Sequence, residues 1–332
     1  MSTHHIYGIG AALVDTEITV TDADLTAMAV AKGVMTLVDE PRQSQLIQYL
    51  EQHQIAAQRA SGGSGANTII AAGYFGCRNF YSCKVADDEN GHLFLDGLKA
   101  ANVDYPAQAS LPKGITGKCL VMITPDAERS MNTFLGISET LSVNEVSPEA
   151  AANAEYVYIE GYQVTSPTGS AAAIALRETA ERSKVRTALS LSDPAMVQFF
   201  RDGLVKMLGD GVDLLFCNSD EALGFTQTHT LDDAIEALKK ISKTFAITCG
   251  AEGAKVFDGE QLISIAGTRV KAVDTNGAGD MFAGAFLYAI THGHDFKTAG
   301  EFASYAAAQV VAQYGPRLRP EQHQEIKATF FG

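Results

Sequence analysis

Val273-Asp274-Thr275-Asn276-Gly277-Ala278-Gly279-Asp280 runs directly into Met281-Phe282-Ala283-Gly284-Ala285-Phe286-Leu287-Tyr288-Ala289-Ile290. Met281, Phe282, Ala285, Phe286 and Ile290 recur at the spacing of one helix face, so a core-facing helix is expected to begin around Gly277–Gly279. The first turn of a helix leaves about four amide N–H groups unpaired and carries roughly half a positive charge, and glycine lets that backbone come close to a phosphate. Asp280 stands inside this anion-attracting turn. A carboxylate there would repel a resting phosphate, but it is well placed to take the proton of an alcohol attacking one. The arrangement points to phosphoryl transfer to a hydroxyl, with Asp280 kept ionised by the helix terminus as a weak, always available base. The octapeptide alone equally allows Asp280 to be a simple helix cap.

Upstream, short β-branched apolar runs alternate with amphipathic stretches. Ile6–Ile9, Tyr156–Ile159, Thr187–Leu191, Leu214–Cys217, Phe245–Thr248 and Lys255–Phe257 read as strands, and Ser166–Arg182, Ala195–Leu208 and Thr230–Ser242 as helices. That pace belongs to βαβ units, whose crossovers need parallel strands with helices on both faces. The expected fold is therefore α/β, a doubly wound and mostly parallel sheet. Val14–Asp39 and Ala107–Ser142 break the rhythm with alternating polar and apolar residues and a hairpin turn at Pro125-Asp126, which is the grammar of antiparallel strands. They read either as a small β-sheet lid that excludes water or as an ordinary edge hairpin. On the lid reading the core comprises residues 1–13, 40–106 and 143–332, and the lid residues 14–39 and 107–142.

Composition narrows the partners. With 39 acidic against 25 Lys and Arg residues, the chain of 332 residues carries a formal charge of −14, so its average surface repels nucleic acid. Five widely spaced cysteines without a CxxC pair signal neither a disulfide framework nor a zinc site. The eight histidines show no metal spacing beyond His292-Gly293-His294, which reads as a helix end. No basic leader and no run of 18 apolar residues is present, so a cytoplasmic protein, neither secreted nor membrane-spanning, is expected.

Asp274-Thr275-Asn276-Gly277-Ala278-Gly279-Asp280 resembles the C-terminal signature of the ribokinase-like (PfkB) carbohydrate and nucleoside kinases. Ser61-Gly62-Gly63-Ser64-Gly65-Ala66-Asn67, which alone could be just a flexible turn, resembles the family's N-terminal Gly-Gly-x-x-x-Asn motif. Val85-Ala86-Asp87-Asp88-x-x-Gly91, Asn218-Ser219-Asp220-Glu221 and Thr248-Cys249-Gly250-Ala251-Glu252-Gly253 are similar to three further family segments. Gly8 to Asp15, together with Thr116 to Cys119 and Asp126 to Ser130, is similar to the adenosine-kinase-like branch, although Ala11 stands where Asn is common there.

The resemblance implies a ribokinase-like fold and an ATP-dependent, magnesium-requiring kinase acting on a primary hydroxyl of a sugar or a ribonucleoside, as a monomer or homodimer. It implies Asp280 as base, the amides of Gly277, Ala278, Gly279 and Asp280 as anion hole, and Arg129 reaching phosphate from an exposed lid hairpin. The acceptor would be held by Asp15, Leu13, Gly62, Gly63 and Asn67. ATP would meet Asn218, Thr248, Gly250 and Gly253, with Glu221 acting on magnesium through water and Ala303 to Gly315 closing the adenine pocket. It also implies a possible potassium-type ion beside Asp274 and Thr275. A dinucleotide fingerprint fails because Leu13 replaces the third glycine of Gly8-Ile9-Gly10, and no P-loop string occurs. A sugar- or nucleoside-binding sensor would keep the glycines and lose the base, yet Asp280, Glu221 and Arg129 are all present.

Overall fold

The computed structural model describes residues 3–53, 57–106, 110–126 and 128–332. Ala127 of the expected hairpin and residues 107–109 of the expected lid lie outside the described residues.

Nine strands form one sheet in the order Leu262–Ile265, Ala254–Phe257, Ser242–Thr248, Val212–Asn218, Arg186–Ser190, Ala154–Glu160, His4–Ile9, Asn79–Ser82, Val103–Asp104. All neighbours from Ser242–Thr248 to Val103–Asp104 pair in parallel, and the two outer strands at the other end pair antiparallel. The six strands expected from the sequence all occur; five are longer by one to three residues at one or both ends, and Thr187–Leu191 is shifted by one residue to Arg186–Ser190.

The parallel strands are apolar almost throughout because both their faces are covered. On one face Phe75, Phe286 and Phe302 are buried among helices Ser64–Phe75, Ala278–Thr291, Phe296–Val311 and Pro320–Phe331. On the other, Leu176, Leu204 and Leu238 pack from helices Pro167–Arg182, Pro194–Leu208 and Leu231–Leu238. Burying each such side chain contributes about 1.5–3 kcal/mol. Pro167–Arg182 starts where Ser166 accepts from the Gly169 N–H. Leu231–Leu238 ends four residues before the expected Ser242, because Ser242 opens the next strand. Pro194–Leu208 is broken at Phe200, whose backbone leaves the helical region.

A second, five-stranded sheet has the order Met35–Leu37, Arg129–Phe134, Gly117–Ile123, Leu13–Thr19, Ala57–Gly62. It differs from the expected lid in three ways. Leu13–Thr19 pairs parallel with Gly117–Ile123, as does Met35–Leu37 with Arg129–Phe134, so only two of its four pairings are antiparallel. Asp22–Ala27 is a helix, capped by Thr21, inside the stretch whose alternation suggested strand. The layer also takes in residues expected in the core: Leu46 and Leu50 of helix Glu40–Gln52 pack with Ile18, Leu120 and Met122 on its back, and Ala57–Gly62 is its edge strand. Alternation along Gly117–Ile123 sends Leu120 and Met122 to that helix and leaves Cys119 and Val121 for the opposite face.

Candidate active site

Strands His4–Ile9, Ala154–Glu160, Arg186–Ser190, Val212–Asn218 and Ser242–Thr248 run parallel, so their carboxyl ends share one edge, where α/β sheets bind ligands. Between that edge and the small sheet lies a cleft of about 420 Å³, lined from the strand ends by Glu160, Ser190, Asn218 and Thr248 and from the small sheet by Asp15, Val121 and Arg129.

Two helix N-termini meet on its floor. Gly277 sits at a φ of +71°, and a side chain there would collide with the Pro316 carbonyl oxygen, so glycine is required. Helix Ala278–Thr291 follows with no side chain capping its first amides, and a Cβ at Gly279 would meet only open space. The second helix, Ser64–Phe75, starts after Gly63, whose φ is +93° and which leaves no room for a Cβ against the Ala11 carbonyl. The two helices cross closely because Gly284 presses its backbone on the Thr68 carbonyl. That crossing brings Ser64 and Asn67, three apart on one helix face, to Asp280.

Ser64 Oγ donates to Asp280 Oδ1 at 2.6 Å, and Asn67 Nδ2 donates to Oδ2 at 3.0 Å. Asp280 therefore does not cap its helix, and it borders the cleft. The expectation that the helix terminus keeps it ionised as a weak base needs correction. Burial pushes its carboxyl above the usual range, opposed by the Ser64 and Asn67 hydrogen bonds and by the charges of Arg317 and Arg129. A raised value makes it a stronger base than a free carboxylate. Asn67 is 4% exposed and borders the cleft, and its buried amide oxygen has no protein partner.

Asp15, Leu13 and Gly63 also border the cleft, whereas Gly62 stands behind Asp15, whose carboxylate occupies the space a side chain there would need. Burial pushes the Asp15 carboxyl up to about 7, Arg317 being the main opposing charge. Glu221 caps its own helix reciprocally with Asn218, accepting from the Asn218 N–H at 3.0 Å and Nδ2 at 2.7 Å, and burial raises it to about 7. Its oxygens are thus already engaged, so a magnesium ion would be reached through water, which suits an ion that keeps its hydration. Among the described residues no group of three or more His, Cys, Asp or Glu side chains is placed to hold a metal ion.

Several expectations shift. Arg129 is not on an exposed arm: its side chain is 14% exposed, with Nε 2.6 Å from Asp274 Oδ1 and Nη2 donating to Thr275 Oγ1 at 3.0 Å. The same Asp274 oxygen accepts from the Asn276 N–H at 2.9 Å, and Oδ2 from the Gly315 N–H at 3.0 Å. A potassium-type ion at Asp274 and Thr275 gains no support here, because Asp274 is already paired with Arg129 and accepts from the Asn276 and Gly315 N–H groups. Gly250 and Gly253 do not border the cleft; Gly253, at a φ of +95°, lies too close to the Ile265 carbonyl to carry a side chain. In the segment Ala303 to Gly315, Ala303, Ala306 and Val310 are core residues and none borders the cleft.

The sequence reading missed Glu160, which is 1% exposed. It accepts from the Ala11 N–H at 2.7 Å, the Gly65 N–H at 2.8 Å and Gln163 Nε2 at 2.9 Å, holding the segment after strand His4–Ile9 to the start of helix Ser64–Phe75. Its signal was an acid closing the apolar run Tyr156–Ile159 immediately before Gly161. It also missed the apolar wall of Met35, Leu37, Val121, Met131 and Leu135, because these residues come from three separate segments.

Residues 35–323 match the model of the pfkB family carbohydrate kinases. The chain belongs to that family. Among solved structures it is similar to an adenosine kinase from Sinorhizobium meliloti, at 30% identity and a TM-score of 0.91 over 99% of this chain and 100% of that one. It is equally similar to a probable sugar kinase from Rhizobium etli CFN 42, at 30% identity and a TM-score of 0.90 over the same shares. The adenosine kinase of Saccharomyces cerevisiae is 28% identical over 280 residues, 79% of this chain and 81% of that one. This pfkB kinase is a phosphotransferase of the adenosine-kinase-like branch, and a non-catalytic binding protein on the same fold is not favoured. No helix among its described residues is long and apolar enough to cross a membrane.

Proposed function

We propose that this kinase transfers the γ-phosphoryl group of ATP to a primary hydroxyl of a ribonucleoside. The observation that carries the choice of acceptor is the mixed lining of the cleft, which has polar groups at Asp15, Asn67 and Asp280 around its floor and an apolar wall at Met35, Leu37, Val121, Met131 and Leu135 on the small-sheet side. A free sugar offers hydroxyls on every side and would leave that wall covering polar groups, which costs free energy. A nucleoside puts hydroxyls on the floor and an aromatic base on the wall. The adenosine kinases among its relatives support this reading, and the similar probable sugar kinase is the reason to test it.

In the proposed reaction Asp15 and Asn67 orient the ribose hydroxyls. The primary hydroxyl oxygen attacks the γ-phosphorus, its proton passes to Asp280, and the bond to the bridging oxygen breaks to release ADP. The amides of Gly277, Ala278, Gly279 and Asp280 receive the charge spread over the migrating group. Arg129, tied to the same turn through Asp274 and Thr275, adds positive charge there as the small sheet covers the cleft. Asn218 and Thr248, which border the cleft, would meet the nucleotide. Magnesium would supply charge neutralisation on the phosphates, with Glu221 ordering its water.

The test is ADP release with adenosine, inosine, guanosine, ribose, fructose and 2-keto-3-deoxygluconate as acceptors. Saturable release with one nucleoside and none with the sugars is expected; saturation with a sugar alone would overturn the nucleoside assignment.

A further inference from the structure

Arg317 lies in the segment after helix Phe296–Val311, and that segment is locked to the anion-hole turn. Gly315 donates to Asp274, the Pro316 carbonyl lies under Gly277, and Gln313 Nε2 donates to the Arg317 carbonyl at 3.1 Å. From this anchored position the Arg317 guanidinium crosses to the acceptor turn. Its Nη2 donates to the Ser61 carbonyl, with Ser61 Oγ 3.2 Å away. Arg317 does not border the main cleft. It borders a second cavity of about 270 Å³, and Asp15 is the wall that the two cavities share.

We propose that Arg317 is a positioning residue for phosphoryl transfer, which clamps the acceptor turn at Ser61–Gly63 to the anion-hole turn and places a positive charge behind Asp15. The inference rests on the cleft assignment of the preceding subsection. Arg317 touches neither acceptor nor phosphate in that assignment, so it acts through the residues that do.

Charge balance supports it. Asp15 faces Glu17, Asp280 and the buried Cys119 thiol, with Arg317 as its cation. Asp280 faces Glu160, Glu221, Tyr158 and Tyr162, with Arg317 and Arg129 as cations. Arg129 is already paired with Asp274, so Arg317 is the cation left to balance the acceptor side. The planar fork of arginine can hold the Ser61 backbone while its delocalised charge serves the carboxylates; lysine offers only a point charge.

Two variants of the full-length protein separate geometry from charge. In Arg317→Gln the acceptor KM should rise roughly 10-fold, and the acid limb of the kcat/KM profile should move to higher pH by about 0.5–1 unit, with nucleotide affinity unchanged. The sign follows because losing a nearby positive charge raises both carboxyl pKa values, so protonation removes activity sooner as pH falls. In Arg317→Lys the acid limb should stay where the wild type has it, while the acceptor KM remains raised by roughly 3- to 10-fold. A folded Arg317→Gln protein with an unmoved acid limb overturns the charge role. Should that protein not fold, Arg317→Lys decides alone: a wild-type acceptor KM would overturn the clamp. Failure of the underlying assignment looks different, since it would appear as absent ADP release from the wild type.

Discussion

Two glycine turns, one on the cleft and one away from it, use glycine for opposite purposes. At Gly277–Gly279 the glycines open the backbone: Gly277 takes a left-handed conformation over the Pro316 carbonyl, and Gly279 leaves empty space in front of uncapped amides. At Gly250–Gly253 the second glycine closes the backbone on itself, against the Ile265 carbonyl and the Gly267 nitrogen. Both turns follow a run of residues similar to family motifs, so neither spacing nor composition separates them. The lesson is that a glycine marks a close approach, and only the fold says whether a ligand or the chain itself approaches.

Substitutions can break or sharpen that contrast. The largest effect is expected from Asp280→Asn, which keeps the Ser64 and Asn67 neighbourhood but removes the base. Turnover should fall by ~10²-fold or more with an unchanged melting temperature and nucleotide affinity, measured by ADP release and calorimetry. Near-normal turnover would return the open turn to the status of a mere helix start. Next, Gly279→Ala should lower kcat about 10-fold, since the methyl group intrudes on the anion space, yet leave thermal stability unaltered. Gly253→Ala should do the reverse, costing about 1–3 kcal/mol of stability through a forbidden φ and a backbone clash. If both alanine variants lost stability equally, the two turns would be alike after all.

Two smaller effects concern the buried carboxylates. Glu221→Gln should raise the magnesium concentration for half-maximal activity roughly 5-fold, because a water-mediated contact contributes modestly. Asp15→Asn should weaken acceptor binding but raise the melting temperature at pH 8 by roughly 2–5 °C. The folded-state pKa of Asp15 is raised to about 7 from an ordinary 3.8. Its carboxyl therefore favours folding at acidic pH, and that contribution is lost as pH rises from about 4 through about 7. The stabilisation of the variant should accordingly vanish near pH 4; a pH-independent difference would mean that Asp15 is ionised throughout.

Much of the architecture was legible because local physics wrote it. Apolar β-branched runs between amphipathic stretches name a parallel sheet covered on both sides, and a glycine-bounded helix start names an anion site. Asp280, Asn67, Asp15 and Glu221 were found from residue type and motif, and all four border one cleft. The small sheet was misjudged in its boundaries. Its strand Ala57–Gly62 and helix Glu40–Gln52 join it through pairings and packing with residues up to about 80 positions away, and periodicity senses only neighbours.

The amino-acid sequence by itself determined the parallel α/β core, the family and the helix start that carries Asp280, because each follows from patterns within a few turns of chain. Tertiary structure alone decided which charges meet. Arg129 pairs with Asp274, Arg317 stands behind Asp15, and Glu160 accepts from the Ala11 N–H, across separations of 145, 302 and 149 positions. Electrostatic and hydrogen-bonding energies depend on distance in space rather than along the chain, so those partners exist only once the layers have packed.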